Sequence, residues 1–187
     1  VTSSNIYTGS IIAILIFLFT FYVYLATLCP TIYTGDAAEL VTAAVTLGIP
    51  HAPGYPLYCI LGKLVTLIIP WGNTAYRLNL MNAVGGSLVV MLVYWYLVKI
   101  IFANTATETR KGLKSGLCFL RWLGEMGKCE AKASRYIIIG LCGLCSLVLA
   151  FAPLFWVQSL QTEVFILNLL FVAVVFYLLT VKLKSHF

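Results

Sequence analysis

Residues 11–28 read IIAILIFLFTFYVYLATL, eighteen positions without a charged group. An apolar run of that length is what a helix needs to cross the hydrocarbon of a bilayer. Tyr22 and Tyr24 stand near its far end, where aromatic rings suit the headgroup level, and Pro30 closes it. Similar runs recur at 78–103, 136–152 and 164–181, which predicts an all-α polytopic membrane protein with four spanning helices. Composition agrees: 61% of the 187 residues are hydrophobic, 10% are charged, and mean hydropathy is +1.00. Soluble domains carry about 25% charged residues.

The net charge of +6 does not point to nucleic acid. Seven of the twelve basic residues, Arg110, Lys111, Lys114, Arg121, Lys128, Lys132 and Arg135, fall in one loop, 104–135, between apolar runs. That is the pattern of a cytoplasmic loop. Within it Leu113, Leu117 and Leu120 read as an unstructured connector or a surface helix on anionic lipid. The apolar segment 57–69 would rise only about 20 Å as a helix against roughly 30 Å of hydrocarbon, so it is read as re-entrant or interfacial. The N-terminus, basic loop and C-terminal tail then share the cytoplasmic side, and 30–77 lies opposite, on the outer or lumenal face. Trp71 in the turn after it suits the headgroup level.

Val1 in place of a Met reads as a fragment, and 11–28 is too long, with no basic flank, for a cleavable signal peptide. Cys142 and Cys145 form a CxxC inside an apolar run and read as small packing residues rather than a redox or zinc site. Gly85 and Gly86 permit a close helix contact.

The chemistry concentrates in residues 30–58, PTIYTGDAAELVTAAVTLGIPHAPGYPLY. A short helix is expected over 36–47, capped by Thr34 or Asp36, with Glu39 in its first turn and Gly48 ending it. Pro50, Pro53, Gly54 and Pro56 then enforce an irregular segment. Asp36 and Glu39 are three apart and share a helix face. Two carboxylates at a membrane face allow general-base work, a cation site or metal binding, but the pair alone reads first as a solvated helix start. No metal is assigned, because the pair lacks the ligand count of a dedicated site. His51 alone reads first as a hydrogen-bonded loop residue.

Read whole, GDAAELVTAAVTLGIPHAPGYPLY, then Tyr76-Arg77-Leu78-Asn79, then Gln161-x-Glu163-Val164-Phe165-x-Leu167-Asn168, the chain resembles the transmembrane protein 260 family. These are endoplasmic-reticulum protein O-mannosyltransferases of the GT-C fold that modify IPT domains of plexin-type receptors. The match covers most of the chain outside the basic loop. It departs where Ala37 and Ala38 replace Ser and Gly, where Ala52 replaces a Pro, and in the long loop 104–135.

The resemblance implies an N-terminal piece of a GT-C transmembrane domain in the endoplasmic-reticulum membrane, with 30–70 as a lumenal loop carrying short helices. It implies dolichyl phosphate mannose as co-substrate, a protein acceptor with IPT domains, contact with membrane lipid, and no other cofactor. Asp36 would be the general base toward a Ser or Thr hydroxyl, with Glu39 tuning it. His51, Tyr55, Arg77, Asn79 and Glu163 would bind substrate. Arg77 suits a lipid phosphate or an interfacial anchor, and Glu163 either lines the site or caps the fourth helix.

Two other classes compete: a transporter or channel subunit with Asp36 and Glu39 at a cation mouth, and a non-catalytic scaffold or truncated fragment. Against the transporter, no carboxylate falls inside an expected crossing, where transport pathways carry ionisable groups.

Overall fold

The computed structural model describes residues 3–113 and 136–185. The described residues form helices and no strand: α1 Ser3–Ala26, α2 Ala37–Thr46, α3 Pro56–Ile68, α4 Thr74–Leu113, α5 Tyr136–Ala150, α6 Pro153–Leu160 and α7 Phe165–Ser185. The all-helical membrane architecture expected from composition is what the structure shows.

Gly9–Ala26 and Thr74–Ile101 are each long and apolar enough to cross a membrane, and α5 with α6 makes a third crossing if the bent pair is one. The fourth expected crossing falls on α7, in which Phe165–Leu179 is the apolar stretch among the residues whose side chains are described. α4 does not stop at residue 103 but continues to Leu113, since no Gly or Pro intervenes before Gly112. The rest of the basic loop, 114–135, lies outside the described residues.

α4 is the central element and packs against α1, α6 and α7 on one level and against α2 and α3 at one end. The core joins Ile16 and Tyr24 of α1, Ala83, Val90 and Tyr94 of α4, Cys142 of α5 and Phe155 of α6. The opposite faces of α1 and α7 stay apolar and open, as at Leu18, Phe19, Val175 and Phe176. In lipid those faces need no further cover. Cys142 is buried while Cys145 is exposed, so the CxxC does not converge on one site. Lys99, within α4's spanning part, lies over the ring of Tyr177 at 3.8 Å, which offsets its placement on an apolar helix.

The segment 153–163, between the third and fourth expected crossings, is structured. Pro153 has no N–H to continue α5, and the chain bends by 65° into α6, which buries Phe155 and Ser159. The Ala150 carbonyl at the bend accepts a hydrogen bond from the Tyr24 hydroxyl at 2.7 Å. The end where α1 finishes, α4 begins and α6 meets α7 is capped by the α2–α3 hairpin. α3 buries Tyr58, Cys59 and Gly62 and leaves Leu57, Ile60, Leu64, Leu67 and Ile68 exposed. One apolar row therefore faces outward along a helix too short to cross.

Candidate functional site

α2 begins at Ala37, and Asp36 stands at its N-cap position without a side-chain capping bond. Its carboxylate is thereby left free for other partners. Gly35 before it has φ +85°, a left-handed turn that glycine supplies without steric cost. At the other end Gly48 was expected to stop the helix; the left-handed residue is Leu47, with φ 54°. The N–H groups of Leu47 and Gly48 both reach the Ala43 carbonyl, which satisfies the helix end one residue early. Lys63 of α3 donates to the Val45 carbonyl at 2.6 Å and holds α3 against that end.

The early stop folds 48–55 back over α2 and brings His51 to Glu39. The His51 backbone N–H donates to Glu39 Oε1 at 2.6 Å, and its Nδ1 lies 2.9 Å from Oε2. Nε2 of the same ring lies 3.7 Å from Asp36 Oδ2. Ligating atoms of Asp36, Glu39 and His51 all fall within 4.8 Å of one another, and all three residues are exposed. The Tyr55 ring meets the imidazole edge-on at 5.6 Å between centroids. Glu39 also walls an open cleft of about 390 Å³ lined by Ala38, Thr42, Thr46, Ile49 and Pro50.

A third acid arrives from the far end of the chain. Glu163 is 9% exposed, and its Oε1 lies 3.8 Å from where a Cβ on Gly35 would be. Burial raises its pKa above the ordinary carboxylate value, and the charge of Asp36 adds to that, while His51 and the Val164 N–H oppose it. The hydrogen bond to Glu39 raises the pKa of His51, and the same contact lowers the pKa of Glu39.

The pH dependence follows from these signs. A raised His51 stabilises the loop below its ordinary 6.5, and this is lost as pH rises through the folded value. A lowered Glu39 stabilises it above its ordinary 4.5, and this is lost as pH falls through the folded value. Both contributions are complete only between those two ordinary values. Glu39→Gln should therefore lower the His51 titration midpoint, as followed by imidazole NMR. A midpoint that stays put would remove the contact.

Arg77 is placed away from this cluster's acids. Its guanidinium donates to the carbonyls of Thr66 at 2.9 Å, Pro70 at 3.0 Å, Trp71 at 3.1 Å and Gly72 at 3.2 Å. It clamps the turn between α3 and α4. Asn79 is 1% exposed, and its amide is occupied by the chain itself: Nδ2 donates to the carbonyls of Cys29 and Thr31, and Oδ1 accepts from Thr162. Two residues that sequence reading left unassigned also hold the site. Asn73 caps α4 through the Tyr76 N–H at 2.8 Å and ties down Pro30 at 2.9 Å. Asn82 grips the turn before α7. The available signal was the spacing of Asn79 and Asn82, three apart on an apolar helix.

The family described as "Protein O-mannosyl-transferase TMEM260 N-terminal domain" matches residues 36–186. The mouse "Protein O-mannosyl-transferase TMEM260" is 29% identical over 163 residues, covering 87% of this chain and 18% of that protein. The Dictyostelium discoideum "Protein O-mannosyl-transferase tmem260" is 30% identical over 168 residues, covering 88% of this chain and 16% of that protein. The chain thus spans less than a fifth of the length of these curated relatives. No solved structure matches.

Proposed function

We propose a function from one premise: this chain belongs to the family of the Protein O-mannosyl-transferase TMEM260 N-terminal domain. The relatives are named for their reaction class, protein O-mannosyl transfer. The observation that supports carrying it to this chain is the convergence of Asp36, Glu39, His51, Tyr55 and Glu163 at one end of a membrane bundle.

In this reading the chain is the N-terminal part of a GT-C-type domain in the endoplasmic-reticulum membrane, with 30–77 lumenal. The donor is dolichyl phosphate mannose and the acceptor is a Ser or Thr of an IPT domain. The acceptor oxygen attacks C1 of the mannose from the face opposite the phosphate. The C1–phosphate bond breaks as the C1–O bond forms, so the configuration inverts. Dolichyl phosphate leaves with the bonding pair, and the hydroxyl proton passes to the Asp36 carboxylate. A hydroxyl is a weak nucleophile at neutral pH, so a placed base contributes about 10²–10⁴-fold. The Glu39–His51 pair orients the imidazole toward Asp36 and offsets the negative charge gathered there. Arg77 acts by holding the α3–α4 turn.

The test is transfer of radiolabelled mannose by membranes containing the full-length protein, with an IPT-domain acceptor. Label should appear on Ser or Thr of the acceptor. Label no greater than in membranes lacking the protein would overturn the proposal.

A further inference from the structure

We infer that Asn82, together with Asn79, is a positioning residue that sets Glu163 against the Asp36 loop; the inference rests on the active-site reading above. The two asparagines lie three apart and so share one face of α4. They are 2% and 1% exposed within an apolar helix, where an unpaired amide is costly. Every amide group is used, and the N–H donors are all spent on loop carbonyls rather than on neighbouring helices. Asn82 Nδ2 donates to the carbonyls of Gln161 at 2.5 Å and Glu163 at 2.8 Å. Between those two, the Thr162 hydroxyl donates to Asn79 Oδ1 at 2.7 Å. Three consecutive residues of the turn are therefore held by one helix face.

Asn79 carries the same grip to the other half of the site. Its Nδ2 donates to the carbonyls of Cys29 at 2.8 Å and Thr31 at 3.0 Å, in the segment that leads to Gly35 and Asp36. The Tyr58 hydroxyl reaches Asn82 Oδ1 at 3.5 Å and adds α3 to the bracket. Apolar side chains at 79 and 82 would pack in lipid without any desolvation penalty, but would not fix direction. The two amides supply direction, at the place where a carboxylate from residue 163 must meet one from residue 36. Displacements near 1 Å at a reacting centre can lower rates by about 10²-fold, which is the scale on which such a bracket acts.

The experiment uses the full-length protein in membranes, with Asn82→Leu, Thr162→Val and Glu163→Gln compared in the mannosyl-transfer assay. Asn82→Leu keeps the branched heavy-atom shape and removes both donors; Thr162→Val cuts the Asn79 contact from the other side, and gives the answer if Asn82→Leu fails to accumulate. Each should lower kcat by about tenfold or more, with KM for donor and acceptor unchanged within about twofold. Amide exchange over 160–164 should rise in both. Unchanged kcat in the two bracket variants beside an impaired Glu163→Gln overturns the positioning role and leaves the active-site reading standing. Unchanged kcat in Glu163→Gln as well removes the site reading and this inference with it. A fall in kcat without increased exchange over 160–164 also overturns it, since the amides would then act elsewhere.

Discussion

Asp36→Asn in the full-length protein should lower mannosyl transfer by about 10²–10⁴-fold, with membrane insertion and protein level unchanged. Asparagine has the shape of aspartate but cannot take the acceptor's proton. The fold has little to lose in the exchange. The Asp36 side chain is 59% exposed, makes no capping bond to α2, and stands 3.7 Å from His51, beyond a hydrogen bond. The Leu40 N–H is held by the Asp36 main-chain carbonyl, which the substitution keeps. Glu39 gives the contrast. It holds His51 through two short contacts, so Glu39→Gln should disturb loop order and the imidazole before it disturbs chemistry. Retained turnover in Asp36→Asn, measured with saturating donor and acceptor, would remove Asp36 from the base role.

What could be read from the sequence was what local rules govern. The charge-free run at 11–28 and the composition led directly to a helical membrane protein, because apolar length is a sufficient signal. Asp36, Glu39 and His51 could be nominated because they sit within one turn-rich stretch. Their mutual geometry could not be, because it depends on Leu47 taking the left-handed position one residue before Gly48. Glu163 is separated from Asp36 by most of the chain. Its approach depends on the α5–α6 bend at Pro153 and on Asn82, a contact spanning 81 positions. Arg77 shows the opposite failure of legibility. Its fork suits a phosphate in sequence, but the nearest acceptors in space are the carbonyls freed where α3 ends.

Gly86→Val should destabilise the detergent-solubilised protein by about 1–3 kcal/mol or more, the usual range for overpacking a tight contact. A Cβ at this position would stand 2.9 Å from Ser159 Cβ on α6 and 3.2 Å from the Tyr24 ring on α1, and would press on the Ser159 hydroxyl as well. Neither neighbour can yield by a rotamer change alone. Ser159 Cβ is fixed to the α6 backbone and its hydroxyl is held by the Phe155 carbonyl, while the Tyr24 hydroxyl is held by the Ala150 carbonyl. The helices must separate. α6 leads straight into the turn that carries Glu163, so transfer should fall along with the thermal midpoint. Gly140→Ala is the matched control: nothing lies within 4 Å of its added Cβ, and alanine favours a helix over glycine by about 0.8–1 kcal/mol. Its midpoint should hold or rise. Equal midpoints for the two variants would mean that α1, α4 and α6 do not close on one another at Gly86.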